Sequence, residues 1–139
     1  DVIALKPKVV VILAGINDLA GNSGPTTPEE IEGNLTSMAE LAHANGIRVV
    51  FASILPASRF PSRPERPNPT PTILAMNAWL KNYAAKNGCV YLDYFTAMAD
   101  SQNGLKDELA EDAVHPNKAG YAIMGPLVEK AIAEALRVN

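Results

Sequence analysis

The segment Lys8-Val9-Val10-Val11-Ile12-Leu13-Ala14-Gly15 constrains the fold more than any other part of the chain. Its β-branched residues favour an extended backbone, and its apolar side chains do not alternate with polar ones, so both faces of the strand need cover. Continuous apolarity closed by a glycine is the pattern of a strand inside a parallel sheet. The run is far short of the ~20 residues that cross a bilayer as a helix. A strand from Val9 to Ala14 would also be an open sheet edge if nothing lay beside it. We therefore expect a second chain, an exchanged strand or a segment preceding Asp1 to cover it.

Two further segments read as strands, residues 47–55 and residues 89–94, and helical patterns separate the three. Thr27-Pro28-Glu29-Glu30 offers an N-cap, a proline at the first helical position and a glutamate that completes a capping box. The helix it opens carries Ile31, Leu35, Met38 and Leu41 as an apolar stripe and stops at Asn45-Gly46. Six of the eleven prolines fall between Pro56 and Pro71, which excludes regular structure over most of that stretch. A helix over residues 72–86 follows, with Ile73, Met76, Leu80 and Tyr83 on one face. The last helix runs over residues 117–137, with Tyr121, Met124, Leu127 or Val128, and Ile132 inward and Pro126 inside it. Strands alternating with helices predict a three-layer αβα, flavodoxin-like parallel sheet, formed by residues 1–139 as one unit.

Composition narrows the function classes. A formal charge of −3 leaves no broad basic face for nucleic acid. The single cysteine, Cys89, excludes an intrachain disulfide and reads as an inert buried thiol. Two histidines are too few for the ligand set of a dinuclear metal hydrolase. No secretion leader is visible, but the chain starts at Asp1 rather than Met, so the compartment stays open.

In parallel α/β sheets ligands sit beyond the carboxyl ends of the strands. Gly15-Ile16-Asn17-Asp18 stands at such an end, and Asp112-Ala113-Val114-His115 stands in the loop before the last helix. A carboxylate close to an imidazole can fix its tautomer and leave the second ring nitrogen as a base. A strand-end asparagine can donate to an oxyanion. Each motif also has a plain reading: Gly, Asn and Asp all favour turns, and Asp-x-x-His before a helix can be local capping. His43 reads as a surface residue. Arg59, Arg63 and Arg66 in the proline-rich loop could meet an acidic substrate or simply keep that loop in solvent. Tyr91, Tyr94, Phe95 and Trp79 fit a pocket wall or core packing equally. Gly21-Asn22-Ser23-Gly24 is the one candidate phosphate cradle, although Pro25 follows it at once and a flexible site loop is the alternative.

Together the motifs resemble the SGNH (GDSL-type) hydrolases and esterases. Gly15-x-Asn17-Asp18 is similar to that family's third block and Asp112-x-x-His115 to its fifth. Leu55-Pro56, Asn68-Pro69 and Asn77 resemble the platelet-activating-factor acetylhydrolase-like branch. The resemblance implies a serine esterase or acylhydrolase that cleaves small carboxylic esters, short acyl or acetyl ones with carbohydrate among the carriers, through an acyl-enzyme and with no metal or organic cofactor. His115 would be the base, Asp112 would orient it and Asn17 would stand in the oxyanion hole. Gly15 would turn the strand end tightly, and Asp18 would support the loop. The family's Gly-Asp-Ser block is absent. Ser23, Ser37, Ser53, Ser58, Ser62 and Ser101 all lie outside such a context. The resemblance thus implies the C-terminal portion of a hydrolase domain whose nucleophile precedes Asp1. A non-catalytic flavodoxin-like binding module and an inactive structural fragment are the rival readings.

Overall fold

The computed structural model describes residues 1–22 and 24–137. Ser23, one of the serines above, lies outside the described residues. A short 3-10 turn, Ile3–Leu5, leads into β1 (Val9–Ile12), the one-turn helix α1 (Ile16–Leu19) and α2 (Pro28–Ala44). Then follow β2 (Arg48–Ala52), α3 (Thr70–Lys86), β3 (Val90–Leu92), the short α4 (Tyr94–Met98) and α5 (Lys118–Arg137). The three strands are parallel in the order β1-β2-β3, with Val9 opposite Arg48 and Val50 opposite Val90.

Strand alternation divides the core. Val49 and Phe51 of β2 face α2 and α3, where Leu35, Ile73, Met76 and Leu80 close over them. Val50 and Ala52 face α5, packing with Leu92, Met98, Met124 and Ala131. Successive crossovers of one hand moving in one direction across the sheet put α2 and α3 on the same face. α5 then crosses to the other face and makes the third layer. Each fully buried Val, Leu, Ile, Phe or Met side chain contributes ~1.5–3 kcal/mol relative to exposure.

The helix termini follow their local sequence. Thr27 Oγ1 accepts from Glu30 N–H at 3.2 Å, and Glu30 Oε2 accepts from Thr27 N–H at 2.8 Å, so the capping box at α2 closes as expected. At the far end of the sheet, Arg48 Nη1 donates to the carbonyls of Ala135 and Leu136 at 3.0 and 2.7 Å, tying the start of β2 to the carbonyl end of α5.

Several boundaries differ from the sequence reading, each for a physical reason. β2 stops at Ala52 because the next groups leave the ladder: Ile54 N–H and C=O bond the carboxamide of Asn77 on α3, at 2.8 and 3.0 Å. β3 stops at Leu92 because Asp93 caps α4, its Oδ1 accepting from Thr96 N–H at 2.9 Å. α3 starts two residues before the expected Thr72, since Pro71 fits the first turn, where no N–H is needed. Tyr121, expected inward, is 61% exposed, and the buried line of α5 is Gly120, Met124, Ala131 and Ala135.

The stripe of α2 is also turned from its expected position. Ile31, Leu35, Ala39 and Ala42 are buried, while Met38 and Leu41 are 39% and 57% exposed. These two side chains border an apolar groove of about 380 Å³ that runs along β1 beside Val2, Ile3, Val10 and Ile12. β1 pairs only with β2 among the described residues, and all four of its residues are half-buried.

Candidate active site

The chain leaves β1 through Gly15, whose φ of +106° is a conformation that only glycine adopts without strain. A Cβ there would also come within 3.0 Å of Ile54 Cδ1. This tight exit starts α1 at once and sets Asn17 at the carboxyl end of the sheet. Asn17 Oδ1 accepts from Asn22 Nδ2 at 3.0 Å, and Asn17 C=O accepts from Asn22 N–H at the same distance. Asp18 contributes its carbonyl, which accepts from Gly21 N–H at 2.9 Å. Among the described residues, no hydrogen bond to its carboxylate is present.

Asp112 and His115 form a self-contained turn. Asp112 Oδ1 accepts from the backbone N–H of Val114 and of His115, at 2.7 and 2.8 Å. Its Oδ2 lies 2.9 Å from His115 Nδ1. The ring hydrogen bond and these backbone donors hold the carboxyl down at about 2, so it is an acceptor throughout the neutral range. An acceptor opposite Nδ1 requires the proton on Nδ1, which leaves Nε2 of neutral His115 with a free lone pair. The loop is held from behind by Asn117, whose Nδ2 donates to the carbonyls of Glu108 and Ala110 and whose Oδ1 accepts from Ala119 and Gly120 N–H.

Asn17 and His115 line one cavity of about 210 Å³, together with Asp112, Asn22, Phe60 and Ser62. A smaller apolar slot of about 60 Å³ adjoins it through shared Ile16 and Val114, with Ile54, Leu55 and Pro56 as further walls. The structure thus brings Asn17, Asp112 and His115 together and places Gly15 immediately behind them. Ser53 is fully buried, its Oγ accepting from Phe95 N–H at 2.9 Å, so it cannot serve as a nucleophile.

Several expectations for other residues are settled by position. Tyr94 and Phe95 are core residues, while Phe60 supplies the aromatic wall of the cavity. Tyr91 packs half-buried on the sheet, its hydroxyl pushed up to about 12 by burial and by Asp93. Trp79 stacks on Tyr83 at 5.2 Å between ring centres. Cys89 is half-buried rather than enclosed. Its Sγ lies 3.7 Å from His43 Nε2 at the amino end of the sheet, and burial pushes the thiol up. The N-terminus of α2 is occupied by its own capping box, which leaves the Gly21–Gly24 turn no free helix end with which to cradle a phosphate. Among the described residues, no group of three or more His, Cys, Asp or Glu side chains could hold a metal ion. No described helix is long and apolar enough to cross a membrane.

Sequence reasoning does not single out Asn117 or Phe60, and it names Asn22 only within the Gly21-Asn22-Ser23-Gly24 segment, not as a partner of Asn17. Asn117 had a readable signal, since an asparagine directly before a helix is a common N-cap. Phe60 and Asn22 lie in irregular loops where no periodicity points to them.

A model of the GDSL-like lipase/acylhydrolase family matches residues 1–123. The chain belongs to that family. Among solved structures, this GDSL-like chain is similar to a proposed acylhydrolase of Bacteroides fragilis, with 40% identity and a TM-score of 0.95 over 99% of this chain and 66% of that one. A GDSL-like lipase of Bacteroides thetaiotaomicron is 41% identical, with a TM-score of 0.93 over 97% of this chain and 66% of that one. An acetylxylan esterase of Geobacillus stearothermophilus, at 24% identity and a TM-score of 0.75 over 95% of this chain and 62% of its own, shares the fold. The GDSL-like chain therefore spans just under two thirds of the length of the Bacteroides proteins. No curated protein matches it.

Proposed function

We propose that these 139 residues supply the base, its orienting acid and an oxyanion donor of a serine esterase that acts on small carboxylic esters. The observation that carries the reading is the Asp112–His115 turn facing the same cavity as Asn17, at the carboxyl end of a parallel sheet. Family membership supports the reaction class.

In this mechanism a serine hydroxyl attacks the ester carbonyl and its proton passes to His115 Nε2. Asp112 keeps the proton on Nδ1 and faces the imidazolium with a negative charge. The tetrahedral oxyanion accepts from Asn17 Nδ2, a type of contact worth ~10²–10³ in rate. Collapse expels the alcohol with the proton from His115, and water then hydrolyses the acyl-enzyme by the same steps. Gly15 holds the strand exit, and Asp18 supports the turn through its backbone. The serine comes from outside the 139 residues, either from a segment preceding Asp1 or from another chain. The same element, or a second copy, would cover the apolar edge of β1. The narrow slot has room for only a few water-sized groups, which favours a short acyl chain such as acetyl over a fatty one.

The test joins this chain behind the N-terminal third of the Bacteroides thetaiotaomicron relative, which carries the Gly-Asp-Ser block in this reading. The fusion is assayed on p-nitrophenyl acetate. Hydrolysis lost in His115→Ala and cut ~10²–10³-fold in Asn17→Ala is the expected result. A folded fusion with no hydrolysis, or with hydrolysis that survives His115→Ala, overturns it. If the 139 residues alone are active, Ser62 on the cavity wall becomes the nucleophile to test with Ser62→Ala.

A further inference from the structure

The carboxamide of Asn17 can present either its oxygen or its nitrogen to the cavity, and only the nitrogen can stabilise an oxyanion. An asparagine free to rotate about its last bond would spend part of its time with the wrong atom inward. Asn22 resolves this choice. Its Nδ2 donates to Asn17 Oδ1 at 3.0 Å, and its backbone N–H donates to Asn17 C=O at 3.0 Å, so the two residues are clamped at main chain and side chain together. The oxygen and nitrogen of a carboxamide lie on opposite branches of one plane. With Oδ1 engaged by Asn22, Nδ2 has no hydrogen-bond partner among the described residues, and Asn17 and Asn22 both line the cavity where a substrate carbonyl would sit.

The turn that carries Asn22 is itself held. Gly21, with φ of +74°, lies directly under the guanidinium of Arg66, so close that a Cβ on Gly21 would sit 1.8 Å from Nη2. Arg66 belongs to the proline-rich loop, which also supplies Phe60 and Ser62 to the cavity wall. The two loops therefore meet where Asn22 is placed.

We propose that Asn22 is a positioning residue that selects the rotamer of the Asn17 carboxamide, with its N–H donors turned to the substrate carbonyl. This rests on the proposed esterase reading, because an oxyanion hole is what makes the orientation matter.

The proposal predicts an inverted order of substitutions. Asn22→Asp is nearly isosteric and keeps the backbone clamp, yet a carboxylate only accepts. It would capture Asn17 Nδ2 and turn Oδ1 inward, costing ~10²-fold in kcat of the fusion with KM nearly unchanged. Asn22→Ala frees the amide to rotate without trapping it and costs only ~10-fold, because the productive rotamer is still visited. A merely structural asparagine would give the opposite order.

A second readout needs no activity. In the 139-residue Asn22→Asp chain, the Asn17 Nδ2 proton resonances should move downfield as the new carboxyl ionises between about pH 3 and 5. Resonances that ignore that titration, or an alanine variant as impaired as the aspartate one, overturn the proposal. A wild-type fusion without esterase activity would instead overturn the functional reading, while the titration still decides whether Asn22 controls the amide.

Discussion

Asn77 provides a sharp test of how the site is held on the fold. It is buried on α3, and its one carboxamide satisfies both backbone groups of Ile54, accepting from N–H at 2.8 Å and donating to C=O at 3.0 Å. Ile54 in turn packs within van der Waals reach of Gly15 and walls the apolar slot. Asn77→Ala strands two buried backbone groups, at ~1–3 kcal/mol each. The truncation leaves room for a water, which could bond both groups and recover part of the loss. We therefore expect a net loss of ~3 kcal/mol. With an unfolding entropy of ~0.29 kcal/mol/K for 139 residues, this lowers Tm by ~10 °C. Thermal unfolding followed by circular dichroism measures it. Thr70→Val, which removes one buried bond to Ala57 C=O, is the control and should cost only ~1 kcal/mol. A Tm within 3 °C of wild type for Asn77→Ala would refute the account, since the bracket would then contribute no more than an exposed contact.

Asp112→Asn should reduce kcat of the fusion by ~10³–10⁴, because an amide can donate to His115 Nδ1 and move the ring proton to Nε2; a loss below tenfold on p-nitrophenyl acetate counts against the assigned tautomer. The Asp112 carboxyl is held below its ordinary value, so its contribution to the turn is complete above pH 4 and is lost as pH falls through about 2. A carbon-detected titration with a midpoint at or above 3.8 would contradict that sign. Arg48→Met frees two carbonyls at the end of α5 and should cost ~1–2 kcal/mol, with faster amide exchange confined to the last turn. Leu41→Glu places a charge in the groove beside β1. It should suppress self-association in sedimentation velocity if a second copy covers that edge, and change nothing if the isolated chain stays monomeric.

The sheet was readable because β-branched runs and glycine stops encode it locally. Strand ends were less readable, because distant side chains decide them. Nothing within residues 47–55 signals that Asn77, twenty-three positions away, will take over Ile54. Residue type alone puts Met38 and Leu41 on the inner stripe of α2, whereas packing selects the small Ala39 and Ala42 for the inner line and leaves Met38 and Leu41 toward the groove. At the site, Asp112 and His115 are three residues apart, so their contact is local and visible in sequence. Asn17 could be picked out as a strand-end donor. The residue that orients it could not, because Asn22 reaches Asn17 only through a turn that Gly21 and Arg66 shape from two separate loops.

The Asp112–His115 turn satisfies itself. Both carboxylate oxygens are used within four residues, and the imidazole moves wherever that short arc of backbone moves. Heating or mutation elsewhere would then leave the acid–base couple intact and change only where it is aimed. Inactivation of such a site is a loss of alignment: the imidazole would keep its tautomer while drifting from Asn17 across the cavity. An inactive protein in which His115 Nδ1 still bonds Asp112 would be the mark of this failure, and repair would lie in the strut that Asn117 makes behind the loop.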